Sequence, residues 1–225
     1  ALPEVPGVNA GALLEFFTFG YVAGSQAVFD GMQRLMPGTA LIVDQQAATV
    51  RSEVFWRWPE PPERDAMSEA DATERLRAEL TEAVRIRMRS DVPLGAFLSG
   101  GMDSAAVLAL MASQSTKPIK TFTIGFGDAE YDEIDEARST AAHFGADHHE
   151  QIVTPDAIRV AEALAVHYDE PFADASVLPT YLLSRFTRDS VTVALGGDGS
   201  DELLAWAAGL DPQRDRLAYG SGEGD

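Results

Sequence analysis

Leu76, Leu80, Val84 and Met88 recur every four residues among charged positions, a spacing that predicts a long amphipathic helix over residues 69–89. Ser68-Glu69-Ala70-Asp71 ahead of it has the form of a capping box with Asp in place of Glu, and Asp91-Val92-Pro93 ends it. Its arginines, Arg75, Arg77, Arg85, Arg87 and Arg89, read most simply as a solvated face. Upstream, Leu13, Leu14, Phe16, Phe17 and Phe19 predict a short helix over residues 10–21, followed by a turn at Ala23-Gly24-Ser25. A short strand at Val28-Phe29, a turn at Leu35-Met36-Pro37-Gly38 and a small hairpin of residues 40–43 with 50–56 come next. Trp56 and Trp58 read as packing aromatics, and Pro59, Pro61 and Pro62 as a stiff linker.

Beyond residue 92 the pattern changes to short apolar runs alternating with helical stretches. Strands are predicted at Val92 to Leu98, Ile119 to Phe126, His148 to Val153 and Val191 to Leu195, and helices at 105–112, 131–144, 154–168 and 177–188. This alternation predicts an α/β fold, a doubly wound parallel sheet preceded by a small α+β segment. Ligands of such sheets lie outside the strand C-termini, where two glycine-rich stretches fall, Ser99-Gly100-Gly101 and Gly196-Gly197-Asp198-Gly199-Ser200-Asp201-Glu202.

A hydrophobic fraction of 45% supports a proper core. With 36 acidic and 17 basic residues the net charge is -19, which speaks against a nucleic-acid or anionic-membrane surface. An anionic substrate then needs local help from a metal, backbone amides or a few basic side chains. The absence of cysteine excludes disulfides, thiolate metal sites and cysteine nucleophiles from this chain. No spanning helix or signal peptide is read, so a cytoplasmic setting is expected. Residues 211–225 read as a polar tail.

In Leu98-Ser99-Gly100-Gly101-Met102-Asp103-Ser104 two glycines let the backbone approach a ligand, and the hydroxyls of Ser99 and Ser104 stand beside the amides opening the next helix. That is a cradle for phosphate; the alternative is a plain strand-to-helix turn with an Asp-Ser cap. Asp198, Asp201 and Glu202 would stand opposite such a cradle, where carboxylates tolerate phosphate only with a divalent ion between them. Mg·ATP chemistry follows from that pairing; a helix N-terminus rich in acids for dipole reasons is the alternative. His143, His148 and His149 do not read as a metal cluster, because adjacent strand residues face opposite ways. Asp169-Glu170-Pro171 and Asp174-Ala175-Ser176 stand before a helix, as caps or as substrate contacts.

Ser99-Gly100-Gly101-Met102-Asp103-Ser104 resembles the PP-loop, SGGxDS, of the ATP pyrophosphatases, and Ser90 to Leu98 resembles its glutamine-dependent asparagine synthetase branch. Agreeing segments follow in order: Thr121 to Phe126, Tyr131-Asp132-Glu133, His148-His149-Glu150, Asp169 to Asp174, Pro179 to Ser184 and Gly197 to Glu202. Phe19 to Val22 and Leu35 to Gly38 further resemble the end of the glutaminase domain of those enzymes. The resemblance implies ATP held by Phe97, Leu98, Ser99, Gly100, Gly101, Asp103, Ser104 and Gly197, with adenine against Ile124 and Gly125, and Mg²⁺ on Asp103 and Asp201. It further implies catalytic roles for Asp103, Asp198, Asp201 and Glu202 in amide synthesis. A small carboxylate such as aspartate becomes an acyl-adenylate, and ammonia from a glutaminase domain or an amine displaces AMP.

The chain departs from that pattern at four points. It begins at Ala1 without the glutaminase's cysteine nucleophile, Gly196 stands where serine is usual, and Leu203 to Gly209 replaces an aromatic-glycine stretch. It also stops before the helical part that carries the family's catalytic lysine. The expected organisation is therefore a glutaminase remnant with linker at 1–62, an incomplete PP-loop domain at 63–210 and the tail at 211–225. Such a truncated homologue, with a homo-oligomer as one of its expected partners, is expected to keep nucleotide binding better than turnover. The alternatives are a non-catalytic remnant and a related PP-loop amide-forming enzyme of secondary metabolism, the latter left open by Asp174.

Overall fold

A computed structural model describes residues 6–59, 67–127, 133–154 and 157–203, with the backbone alone for 157–159, 201 and 202. The expected beginnings of two helices, at Tyr131-Asp132 and Pro155, lie outside the described residues, as do Pro61, Pro62, Leu204 to Gly209 and the tail. In chain order the elements are α1 (Ala10–Phe19), β1 (Thr39–Asp44), β2 (Thr49–Val54), α2 (Glu69–Arg87), β3 (Leu94–Phe97), α3 (Met102–Gln114) and β4 (Lys120–Gly125). They continue with α4 (Ile134–His143), β5 (Asp147–Ile152), α5 (Ala157–His167), α6 (Val177–Arg188), β6 (Val193–Leu195) and α7 (Ser200–Leu203). The chain divides into two compact units, Ala1–Met67 with Asp156–Leu178, and Ser68–Pro155 with Pro179–Asp225.

In the first unit Asn9 caps α1, its side chain accepting the amides of Gly11 and Ala12, and the helix buries Ala12 against Val22 and Val28. It ends at Gly20, where φ is +82° and glycine carries no Cβ penalty, earlier than the expected turn at Gly24. The Gly20 carbonyl then accepts the Ala173 amide at 2.9 Å. β1 and β2 form the expected antiparallel hairpin, with Thr39 opposite Val54. Its second strand is shorter than the alternation suggested, because the Phe55 and Trp56 amides both turn to the Gly38 carbonyl. Trp56 and Trp58 pack edge-to-face on each other at 5.7 Å. Val28-Phe29 forms no strand, only an isolated bridge from Phe29 to Val8.

The second unit holds a parallel sheet in the order β5-β4-β3-β6. The chain steps outward from β3 to β4 to β5 and then returns to the other side of β3 with β6, so the strand order reverses between β3 and β6. Ser68 caps α2, its hydroxyl accepting the Asp71 amide at 3.2 Å and meeting the Asp71 carboxylate at 2.7 Å. The shorter Asp71 side chain thus meets the cap hydroxyl, where Glu in a full capping box would reach the cap's backbone amide.

One face of the sheet carries Ala96 and Leu98, packed with Val84 of α2, Leu108 and Met111 of α3, and Ala137 and Ala141 of α4. Strand alternation turns Phe122 to the opposite face, where its ring meets Phe186 of α6 edge-on at 5.8 Å and His149 stacks on it at 5.2 Å. His148, one residue away, instead places Nδ1 2.9 Å from the Thr121 hydroxyl.

Burial lowers the His148 pKa below its ordinary 6.5, against the pull of Glu150. The folded chain therefore takes up the proton later than the unfolded chain as pH falls. This contribution to stability is full above 6.5 and declines below it until the folded ring itself titrates. His148→Asn is expected to flatten the acid side of the stability curve below pH 6.5. Urea midpoints measured across that range check this, and an unaltered slope in the variant contradicts it.

Candidate functional site

Leu98 leaves β3 tied at both backbone groups. Its amide donates to the Phe122 carbonyl at 3.0 Å, one residue beyond the strand, and its carbonyl accepts the buried Thr123 hydroxyl at 2.5 Å. The next residues form a turn that is largely self-satisfied. The Ser99 amide donates to Ser104 Oγ at 3.1 Å, the two serine hydroxyls meet at 2.9 Å, and Ser99 Oγ accepts the Gly101 amide at 3.2 Å. Ser104 is 7% exposed, and the carbonyls of Gly101 and Ser99 also lie within reach of its single proton. The sequence pattern offers both hydroxyls as ligand donors. In the folded chain they engage each other and the loop backbone, so they hold the loop's shape.

α3 opens directly from this turn. Its N-cap is Gly101, which supplies no side-chain cap. The expected alternative, a turn capped by Asp103-Ser104, is not the one built: both residues lie inside the first turn of α3. The amides that open a helix have no intrahelical partner, and the dipole adds partial positive charge there. An uncapped helix start at the reversal point of a parallel sheet suits an anion. The half-buried carboxylate of Asp103 belongs to the same turn.

The second glycine stretch reaches the same place from β6. A Cβ on Gly197 would stand 2.9 Å from Asp103 Cβ, 3.0 Å from the Ser104 nitrogen and 3.1 Å from the Asp103 carbonyl carbon. Only glycine permits that approach, because two of the three atoms are backbone. The Gly197 carbonyl accepts both the Ser200 hydroxyl, at 2.7 Å, and the Ser200 amide, at 3.3 Å, which folds residues 197–200 into a tight turn ahead of α7. Asp198 is exposed on that turn. The side chains of Asp201 and Glu202 lie outside the described residues.

Residues 97–104 and 197–198 are thus adjacent, and Ile124 and Gly125 end β4, the strand beside β3, at the same edge of the sheet. Two contributors escaped the sequence reading. Thr123 anchors Leu98, and its signal was a hydroxyl on the buried face of a strand. The carboxylate of Glu133 accepts the Gly100 amide at 2.9 Å, a contact across 33 residues with no local signature.

The Asp169 to Asp174 segment belongs to the first unit. There Glu170 pairs with Arg34, and Asp174 accepts the Ser176 amide at 2.8 Å just before α6, a bond that holds its carboxyl below the ordinary value. The segment also lines a cavity of about 730 Å³ together with Phe29, Leu164 and Tyr168 among others.

Residues 75–220 match the Asparagine synthase family. The chain is 35% identical over 200 residues to a putative glutamine-hydrolysing asparagine synthetase of Methanocaldococcus jannaschii, covering 88% of this chain and 38% of that protein. It is 28% identical to asparagine synthetase 1 of Bacillus subtilis, covering 88% of this chain and 31% of that one. A protein of Penicillium rubens named Amidase chyE is 32% identical over 80% of this chain and 30% of its own length. The chain thus spans between 30% and 38% of the length of these relatives. Two glycine turns meeting at an uncapped helix start, together with a family match across more than half of its residues, lead to one conclusion: the chain belongs to the asparagine synthase family.

Proposed function

We propose that the parallel-sheet unit binds Mg·ATP at residues 99–104 and serves amide synthesis through an acyl-adenylate. The observation that carries this reading is the convergence of the uncapped α3 start with Gly197, which leaves backbone amides and the carboxylate of Asp103 at the sheet's reversal point. Among the described residues no three acidic or imidazole groups converge on one point. A single carboxylate completed by phosphate oxygens is a set that Mg²⁺ accepts, so Asp103 fits the ion, with Asp201 as the second ligand of this proposal. When bound, Mg²⁺ offsets charge on the departing pyrophosphate.

The chain's own groups do the rest. The amides at the head of α3 orient the phosphates, and the Ser99–Ser104 bonds keep the loop from reorganising as charge shifts. The adenine lies in this proposal against the half-buried Phe97 and Ile124, with the buried Leu98 and Gly125 as the strand ends behind them. A carboxylate, aspartate in the first instance, attacks the α-phosphorus and pyrophosphate leaves; ammonia or an amine then attacks the acyl carbon and AMP leaves. Asp198 and Glu202 are placed in this proposal on the side of the departing groups. Residues 1–62 serve as the end of a glutaminase-like domain that supplies ammonia, and an ATP-dependent synthesis belongs in the cytoplasm. No helix among the described residues is long and apolar enough to cross a membrane.

Similarity to the protein named an amidase favours a second reading, in which the nucleotide half is unchanged and the acyl group differs from aspartate. Hydroxylamine trapping tests the first. With Mg·ATP, aspartate and hydroxylamine, the expected products are the aspartyl hydroxamate and an equal amount of AMP. ADP in place of AMP contradicts attack at the α-phosphorus, and hydroxamate from other carboxylates alone supports the second reading.

A further inference from the structure

Glu133 occupies the N-cap position of α4, yet its side chain makes no cap there. The carboxylate turns instead to the glycine loop, where Oε2 accepts the Gly100 amide at 2.9 Å. The contact is built rather than incidental: a Cβ on Gly100 would lie 3.0 Å from Glu136 Cβ and 3.2 Å from Glu133 Cβ, so the first turn of α4 is seated directly on the loop. The Gly100 amide sits between the Ser99 amide, satisfied by Ser104, and the open amides of α3. It is therefore a cradle donor already engaged by a negative charge of the chain itself.

We propose that Glu133 is an internal competitor for the anion site, holding the Gly100 amide until a phosphate displaces it and so setting the loop's affinity. This rests on the nucleotide reading above. One N–H cannot serve two anions at full strength, and like charges a few ångströms apart repel. Every phosphate that enters must first break this bond, and the returning carboxylate favours departure of pyrophosphate.

The test is a calorimetric titration with inorganic pyrophosphate in excess EDTA, so that no divalent ion bridges the two anions. Glu133→Gln removes the charge, and Glu133→Ala removes the acceptor while keeping the Cβ that packs on the loop. Both are expected to bind pyrophosphate about tenfold more tightly than the parent chain, in line with the loss of one charge-assisted competitor. Glu74→Gln, which removes an equal charge from exposed α2, is expected to stay within about twofold of the parent.

Affinity unchanged or weakened in the Glu133 variants, while the parent still binds Mg·ATP, overturns this proposal alone. Failure of every chain to bind pyrophosphate or Mg·ATP overturns the nucleotide reading, and this proposal with it. A ligand-free readout runs in parallel: the Gly100 amide proton is expected to move upfield in Glu133→Ala. An unmoved resonance shows that the carboxylate does not hold that amide and contradicts the proposal.

Discussion

Gly197→Ala is expected to weaken Mg·ATP binding at least tenfold while leaving the parallel sheet folded. The added methyl would meet Asp103 Cβ at 2.9 Å and the backbone at 3.0 and 3.1 Å, closer than carbon atoms pack. A flexible side chain could swing away, but the start of α3 cannot, so the acidic turn must withdraw from the glycine loop. Overpacking of this kind costs about 1–3 kcal/mol, and a strain of 1.4 kcal/mol directed at the bound geometry corresponds to roughly a tenfold loss of affinity. Circular dichroism should show the parent's helix content. Parent-like affinity in the variant would mean that the two turns do not cooperate in binding.

Ser104→Ala is expected to lower stability by about 1–3 kcal/mol and Mg·ATP affinity at least tenfold, because it strands a part-buried donor. The Ser99 amide has the Ser104 hydroxyl as its partner at 3.1 Å, and that hydroxyl also fixes Ser99 Oγ. Without it the loop keeps its sequence but not the arrangement that points its amides outward. Ser113→Ala is the control, since Ser113 lies on the same helix, is exposed and bonds only the Leu110 carbonyl. It should change stability by less than about 0.5 kcal/mol. Equal effects of the two substitutions would place Ser104 among ordinary helix serines.

The contrast between these residues shows what a sequence exposes. The four-residue spacing from Leu76 to Met88 is a local periodicity, and α2 forms over Glu69–Arg87 almost as the pattern required. The glycines at 100, 101 and 197 punctuate strand ends, so the position of the loops on the sheet was legible too. The partners of those loops were not. Gly197 rests on Asp103, and Gly100 on Glu133, through contacts that arise only once β6 has been laid beside β3 and α4 over the loop. Likewise the helix over residues 10–21 was evident from its aromatics, whereas its end at Gly20 follows from a left-handed turn tied to Ala173, far along the chain. Ser104 is legible as part of the motif, but not its partners within the loop, because a hydroxyl next to a helix start suits a ligand or a loop equally well. Its burial, which sets those partners, is a property of the fold.

The loop at 99–104 is proposed to hold the phosphates of ATP. A calorimetric titration of Mg·ATP into the parent chain and into Gly197→Ala tests it most directly. Saturable binding of one nucleotide per chain, competed by pyrophosphate and weakened at least tenfold in the variant, is expected. No binding by the parent chain, or binding to which Gly197 makes no difference, would contradict it.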